Sequence, residues 1–161
     1  MDELKSEISF RAMRHGEETE VVDLVLDVFS EFVAPYFSDE GVLEFKKFVN
    51  GPSILERFRS GNPIIVAILK NEIIGVIEIR DNNHITLCFV KRSFQKMGVG
   101  KKLLCEAVKV CRERNRDIEK ITVNSSLNAY AAYRQFGFKG ENTEKTVNGI
   151  RFIPLELELS Q

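Results

Sequence analysis

The sequence has few of the residues that build metal sites and disulfide frameworks. It contains three cysteines and two histidines, without Cys-x-x-Cys spacing, and His15 is far along the chain from His84. An odd number of separated cysteines argues against a disulfide framework, and isolated histidines argue against a zinc site, so no metal is expected. Cys88 falls in an apolar strand pattern, and Cys105 and Cys111 fall on a predicted helix, where buried thiols are usually inert.

An excess of charge and long apolar runs are missing as well. Lys and Arg number 23 against 24 Asp and Glu, a net charge of −1, so no basic excess favours nucleic acid or an anionic membrane as a partner. The longest apolar run, residues 63–69, is too short to span a bilayer. Residues 1–5 lack the basic region and apolar stretch of a signal peptide, which favours a cytoplasmic location.

The remaining composition is that of a globular protein with a packed core. Hydrophobic residues make up 43% and charged residues 29% of the 161 residues, a length typical of one domain, which we predict to span residues 3–160. β-Branched and alternating runs predict strands at 8–13, 64–69, 73–79, 85–90 and 118–123, and a C-terminal hairpin that turns at Asn148-Gly149. Helical periodicity predicts helices at 17–33, from Ser38 to Phe58 with an interruption at Gly51-Pro52, at 98–114 and at 128–136. This order predicts one α/β domain with a mixed sheet.

The segment from Val90 to Leu104 carries the clearest chemical signal. A strand leads into a loop with two glycines and then into an amphipathic helix, an arrangement whose free N–H groups and helix dipole favour a phosphate group. Residues 91–102 include five cations and no acid, so an anionic ligand is expected. The segment does not match the P-loop, which needs glycine at Gln95 and Ser or Thr at Lys102. It does not match the dinucleotide-binding fingerprint either, which needs glycine at Leu103.

The pattern that remains, Gln-x-x-Gly-x-Gly from Gln95 to Gly100, resembles the acetyl-coenzyme A loop of the GNAT superfamily of N-acetyltransferases. Residues 128–138, Asn-Ala-Tyr-Ala-Ala-Tyr-Arg-Gln-Phe-Gly-Phe, resemble the later helix of the same superfamily and follow at the expected distance. The resemblance covers residues 8–159, with departures at Arg92, where the family often has proline, and at Lys96-Met97. It implies an α/β fold with a central mixed sheet of about seven strands and about four flanking helices.

The same resemblance implies a binding site for acetyl-coenzyme A as acyl donor. The loop backbone would hold the pyrophosphate, the pantetheine would run between the splayed strands 85–90 and 118–123, Asn128 would bond the pantetheine arm, and the N–H of Val90 would donate to the thioester oxygen. The implied cofactor-binding residues are Phe89, Val90, Gln95, Lys96, Met97, Gly98, Val99, Gly100, Lys101, Asn128 and Tyr133.

Two side chains are implied in catalysis. Glu78, an acid within an apolar strand, is the candidate base for a primary amine, acting directly or through water, because only the neutral amine attacks. The alternative for Glu78 is a solvent-facing glutamate near a strand end. Tyr133 is the implied proton donor to the departing thiolate, and its alternative is an aromatic that packs in the core. His84 is expected at the surface rather than as a second base.

The acceptor is less defined. Phe29, Phe32, Tyr36 and Phe37 surround the turn between the first two helices, which in this family lines the acceptor pocket, although most of these rings are expected in the core. The predicted reaction is direct acetyl transfer in a ternary complex to a primary amine, either of a small molecule or of a protein N-terminus or lysine. The alternative is a fold that binds an acyl-coenzyme A without turnover, as a sensor or interaction module. A homodimer through the C-terminal strands is an implication of fold analogy alone.

Overall fold

The computed structural model describes residues 2–160, which form a seven-stranded mixed sheet between helices. The strands are β1 (Ser9–Ala12), β2 (Ile64–Leu69), β3 (Glu72–Arg80), β4 (His84–Val90), β5 (Lys120–Ser125), β6 (Lys145–Val147) and β7 (Ile150–Glu158). The α-helices are α1 (Asp2–Glu7), α2 (Glu18–Phe32), α3 (Asp39–Phe48), α4 (Gly51–Arg59), α5 (Val99–Arg114) and α6 (Tyr130–Gln135). Short 3₁₀ turns occupy Ala34–Tyr36 and Arg92–Phe94.

The sheet order is β1-β2-β3-β4-β5-β7-β6. All neighbouring strands are antiparallel except β4 and β5, which are parallel and connected by α5. Each face of the sheet carries its own core. On one face, Leu103 and Ala107 of α5 pack with Tyr133 and Phe138, while on the other face α2 and Ile54 of α4 pack against the meander.

Residue choice explains how closely α5 approaches the sheet. A Cβ on Gly75 of β3 would lie 3.1 Å from Leu103 Cδ1 and 3.3 Å from Val99 Cγ1 of α5. Because glycine leaves this space free, the first turn of α5 lies directly over the centre of the sheet. The helix start is thereby brought beside the end of β4.

The predicted sheet of seven strands is confirmed, whereas the expectation of about four helices is too low. The structure contains six α-helices within residues 2–160. The stretch after Ser38 divides into α3 and α4 because Asn50 caps a new helix, its side chain accepting from the N–H of Ser53 at 2.9 Å. The strand predicted at 118–123 begins and ends two residues later, and the helix predicted at 128–136 is shorter. No helix among the described residues is long and apolar enough to cross a membrane.

Candidate functional site

A cleft opens inside the sheet between β4 and β5. The two strands pair only at His84 with Thr122 and at Ile85 with Val123. Beyond these pairs the strands diverge, so the last five residues of β4 have no partner on β5. The strands therefore splay at the place where the sequence predicts passage of a narrow ligand.

The backbone of Val90 faces this cleft. In an antiparallel ladder, alternate residues bond to one neighbour and direct their N–H and C=O to the opposite side. The N–H of Lys91 donates to the carbonyl of Ile74 at 2.8 Å, and Val90 is opposite Gly75 in the same register. Val90 therefore makes no backbone hydrogen bond to β3, and its N–H points toward β5. The Cys88 N–H has the same orientation.

The loop after β4 is fixed to the strand by a side chain. The Nε2 of Gln95 donates to the carbonyl of Val90 at 3.0 Å. Lys96 and Gly98 then adopt positive φ angles of 64° and 83°, and α5 begins at Val99. The first N–H groups of α5, which have no partner within the helix, therefore lie beside the end of β4.

Gly100 lies at that mouth. A Cβ built on it would have as its nearest neighbours Phe136 Cζ at 3.8 Å and Val90 Cγ2 at 3.9 Å, which are ordinary van der Waals distances. The fold itself would accept a side chain here. Gly100 consequently leaves room for about one Cβ beside the first N–H groups of α5, which have no partner within the helix, and a phosphate there needs close approach to such groups.

The cations around the loop are less free than their sequence suggests. Lys91 pairs with Glu72, Arg92 with Glu31 at 2.6 Å, and Lys102 approaches Glu106 at 3.9 Å. These acidic partners lie on other elements or one turn later in α5. They are therefore outside the acid-free run of residues 91–102, and the sequence pattern did not predict the ion pairs. Among the described residues, only Lys96 and Lys101 of the five have no acidic partner, and both are exposed.

Tyr133 of α6 packs in the core against which Cys88 of β4 also lies, as the alternative of a packing aromatic expects. Tyr133 is 7% exposed, and its ring packs edge-on against Phe136 and Phe138. Burial raises the pKa of the Tyr133 hydroxyl well above its usual value, with a further contribution from Cys88. Burial also raises the pKa of the Cys88 thiol, to about 11, so both groups remain protonated at neutral pH. Asn128 is exposed, in the turn between β5 and α6.

Glu78 is completely buried, so the alternative of a solvent-facing glutamate is wrong. Its Oε2 accepts from Arg57 Nε at 2.7 Å and from Asn62 Nδ2 at 3.0 Å, and its Oε1 accepts from Arg57 Nη2 at 3.1 Å. Arg57 also donates from Nη1 to the carbonyl of Phe48 at 2.8 Å and lies over the Phe48 ring. This network joins β3 to α4 and to the end of α3.

Aromatic residues of α2, of α3 and of the turn between them form a continuous row that reaches β4. Phe29 contacts Phe37 edge-on with ring centroids 5.5 Å apart and stacks on Phe45 at 3.9 Å, and Phe45 lies 6.0 Å from Phe89. Phe29 is fully buried, so it packs under Phe37 and Phe45 rather than lining a surface, whereas Tyr36 is 44% exposed. Phe32 and Phe37 are half-buried.

His84 is half-buried. Its Nδ1 lies 2.7 Å from the Oγ1 of Thr122, at the closed end of the cleft. Burial lowers the pKa of this imidazole. His84 consequently helps to hold together the short junction of the two strands.

Three residues of the site were absent from the sequence prediction, namely Arg57, Asn62 and Phe45, and Cys88 was expected only as an inert buried thiol. Arg57 and Asn62 lie on or just after another helix, and their partner is 16 to 21 residues away, so no local pattern signals the contact. Phe45 could have been found from the periodicity of α3, since it lies on the same apolar face as Phe48.

Comparison with known proteins identifies the same architecture. Residues 33–159 match the family model described as an acetyltransferase (GNAT) domain. None of the curated proteins compared matches the sequence. The PaiA N-acetyltransferase of Thermoplasma acidophilum, solved with coenzyme A, is 21% identical, with a TM-score of 0.77 over 94% of this chain and 99% of that chain.

Two other solved structures give the same result. A GNAT-family acetyltransferase of Staphylococcus aureus is 20% identical, with a TM-score of 0.70 over 95% of this chain and 99% of that one. A GNAT-family acetyltransferase of Elizabethkingia anophelis, solved with acetyl-CoA bound, is 22% identical, with a TM-score of 0.56 over 95% and 99% of the two chains. At these identities the similarity shows the fold.

Proposed function

Because the chain belongs to the GNAT family of acetyltransferases, we propose that it transfers an acetyl group from acetyl-coenzyme A to a primary amine. The observation that carries the proposal is the cleft between β4 and β5. It has the free Val90 N–H on one side and, next to it, a helix start with room for a Cβ at Gly100, and the buried Tyr133 packs beside the same strand. A backbone donor, an anion site and a proton donor are the groups that thioester transfer needs.

We propose the following roles in holding the acyl donor along the cleft. Lys96, Lys101 and the first N–H groups of α5 would hold the pyrophosphate, with Met97, Gly98, Val99 and Gly100 supplying backbone around it. Asn128, exposed after β5, would bond the pantetheine arm across from Phe89. The Val90 N–H would donate to the thioester oxygen as negative charge develops there, a contact that can contribute about 3 kcal/mol. Tyr133 would donate its proton to the departing thiolate.

For the acceptor we propose that Glu78 receives the amine proton through a water molecule. A carboxylate offers about four acceptor positions, and three N–H donors are recorded on Glu78, which leaves one on Oε1. Arg57 keeps the carboxylate oriented from the other side. The row from Phe37 to Phe89 would contact an apolar part of the amine.

The donor half of the proposal is tested by calorimetry with acetyl-coenzyme A and the variant Gly100→Asp. The added carboxylate repels the pyrophosphate and fills the space it needs, while the fold has room for a Cβ. We expect binding to weaken at least 30-fold with an unchanged unfolding temperature. Gly51→Asp is the control, because Gly51 also lies at a helix start, has open space around it and belongs to α4, which packs on the other face of the sheet from α5. Normal binding by Gly100→Asp would show that the donor site is elsewhere.

The transfer half is tested with a panel of small amines and peptides bearing a free N-terminus or lysine, monitored by release of the coenzyme A thiol. We expect release that depends on the amine and a product heavier by one acetyl group. Tight donor binding without transfer to any acceptor would favour the alternative, an acyl-coenzyme A sensor with this fold.

A further inference from the structure

The turn of the C-terminal hairpin rests on the start of α3. The N–H of Ser38 donates to the carbonyl of Gly149 at 3.3 Å, and the Ser38 side chain caps α3 by accepting from the N–H of Gly41 at 3.2 Å. Arg151 adds an Nη1 donor to the carbonyl of Tyr36 at 3.4 Å. Segments far apart in sequence are thus joined by one backbone hydrogen bond and by one from the Arg151 side chain.

Two glycines make this contact sterically possible. A Cβ on Gly41 would lie 2.5 Å from the carbonyl carbon of Gly149 and 3.1 Å from the N of Ile150. A Cβ on Gly149 would lie 2.5 Å from the N of Gly41, and Gly149 has a φ of 81° besides. The neighbours of Gly41 are backbone atoms that cannot rotate away, and a Cβ on Gly149 would meet the Ser38 Oγ as well as the backbone N and Cα of Gly41. Gly41 is buried within α3, where alanine would otherwise be the better helix former by about 1 kcal/mol.

The helix held in this way forms a wall of the acceptor side. Its Phe45 contacts Phe89, the residue before Val90, and Phe37 directly precedes its cap. Its other end is fixed by the bond from Arg57 to the carbonyl of Phe48. The helix is therefore anchored at both ends, and its aromatic side faces the strand end that would present the acetyl group.

From these contacts we propose that Gly41 and Gly149 are positioning residues for the acceptor. Their contact, here called the glycine latch, fixes α3 and with it Phe37 and Phe45, and thereby sets the affinity for the amine. The inference rests on the proposed function for its acceptor, but the latch itself is a property of the fold. Loss of the latch moves α3 without touching the start of α5.

The test compares Gly41→Ala with Gly51→Ala, whose Cβ would meet nothing within 4 Å. Hydrogen exchange is measured by mass spectrometry on peptides covering residues 37–48 and 145–152. Acetyl transfer to tyramine, a primary amine with an aromatic body, gives KM and kcat, and calorimetry gives the affinity for acetyl-coenzyme A. We expect Gly41→Ala to exchange at least fivefold faster in both segments. Its KM for tyramine should rise at least fivefold, with kcat and donor affinity within twofold of wild type, and Gly51→Ala should match wild type.

Unchanged exchange in Gly41→Ala would overturn the latch, and faster exchange with an unchanged KM would overturn its role in acceptor binding. If Gly41→Ala does not fold, Arg151→Gln takes its place, because it removes only side-chain contacts of the hairpin. Faster exchange and a smaller rise in KM are then expected, and wild-type values would overturn the proposal. Absence of transfer by the wild type to every amine of the panel would overturn the proposed function and the acceptor role with it, and the exchange measurement would still decide whether the latch fixes α3.

Discussion

Replacing Glu78 separates two contributions of one buried carboxylate, proton transfer and the ion pair with Arg57. The side chain of Glu78 is fully buried and that of Arg57 is 17% exposed. Removing one partner of such a pair typically costs about 3–5 kcal/mol, because the other charge remains desolvated. Glu78→Gln keeps the shape and one acceptor oxygen, so we expect a loss at the lower end of this range.

Arg57→Gln is the matched variant, since it breaks the same ion pair and retains the carboxylate. It also removes the donor to Phe48, and its loss of stability should equal or exceed that of Glu78→Gln. At roughly 2–4 °C per kcal/mol for a domain of this size, both unfolding temperatures should fall by about 6–20 °C. Urea denaturation gives the corresponding free energies of unfolding.

The two variants should differ in turnover. If Glu78 receives the amine proton, Glu78→Gln lowers kcat by roughly 10- to 1000-fold, whereas Arg57→Gln stays within about tenfold of wild type. The loss in Glu78→Gln should be largest near neutral pH, because an alkylammonium with a pKa near 10 is hardest to deprotonate there. Rates are measured from pH 6 to 9, well below both unfolding temperatures. Equal losses of kcat in the two variants would refute the role of Glu78 in proton transfer, and a stability loss below about 1 kcal/mol in both would refute the reasoning on the ion pair.

Tyr133→Phe, which keeps the ring packed on Phe138, should lower kcat by roughly 10- to 100-fold with little change in donor affinity. Because burial raises the pKa of the Tyr133 hydroxyl, the wild-type enzyme should not lose this proton donor up to pH 9. Wild-type rates in Tyr133→Phe would remove Tyr133 from the mechanism. Hydrogen bonds from Arg11 hold the pKa of Glu17 at about 2. The pKa of Glu17 is thus lower in the folded than in the unfolded protein. The stability that the Glu17–Arg11 pair contributes is therefore complete above about pH 5 and is lost as the pH falls toward 2. Glu17→Gln should therefore be about 1–2 kcal/mol less stable than wild type at pH 7, after allowance for partial exposure, and the difference should shrink on acidification; a difference independent of pH would contradict this assignment.

The features predicted well from the sequence are those that depend on neighbours along the chain. Strand, glycine loop and helix follow one another between Val90 and Leu104, and their order alone brings a helix start to a strand end. The Asn148-Gly149 turn was predicted from residue type in the same way, and in the structure both residues adopt the positive φ angles that such a turn requires. Local conformation of this kind leaves a direct signal in residue type.

The features that escaped prediction depend on partners distant in sequence. The burial of Glu78 follows from Arg57 on another helix, and the pairing of Lys91 and Arg92 follows from Glu72 and Glu31. Nothing in a run of neighbouring residues records which acid will face a given cation after folding. The contact of Gly41 with Gly149 likewise joins segments more than 100 residues apart.

Because β4 diverges from β5, the two ends of β4 differ in their hydrogen bonding. For its first two residues β4 is an interior strand, and for its last five it is an edge strand. Exposed edges ordinarily recruit strands of other chains and promote aggregation. Here the edge lies inside the sheet, where the start of α5 and Phe136 approach it. The free N–H and C=O groups of this edge therefore face the interior of the fold, where they are less available to strands of other chains than the groups of an outer edge strand would be.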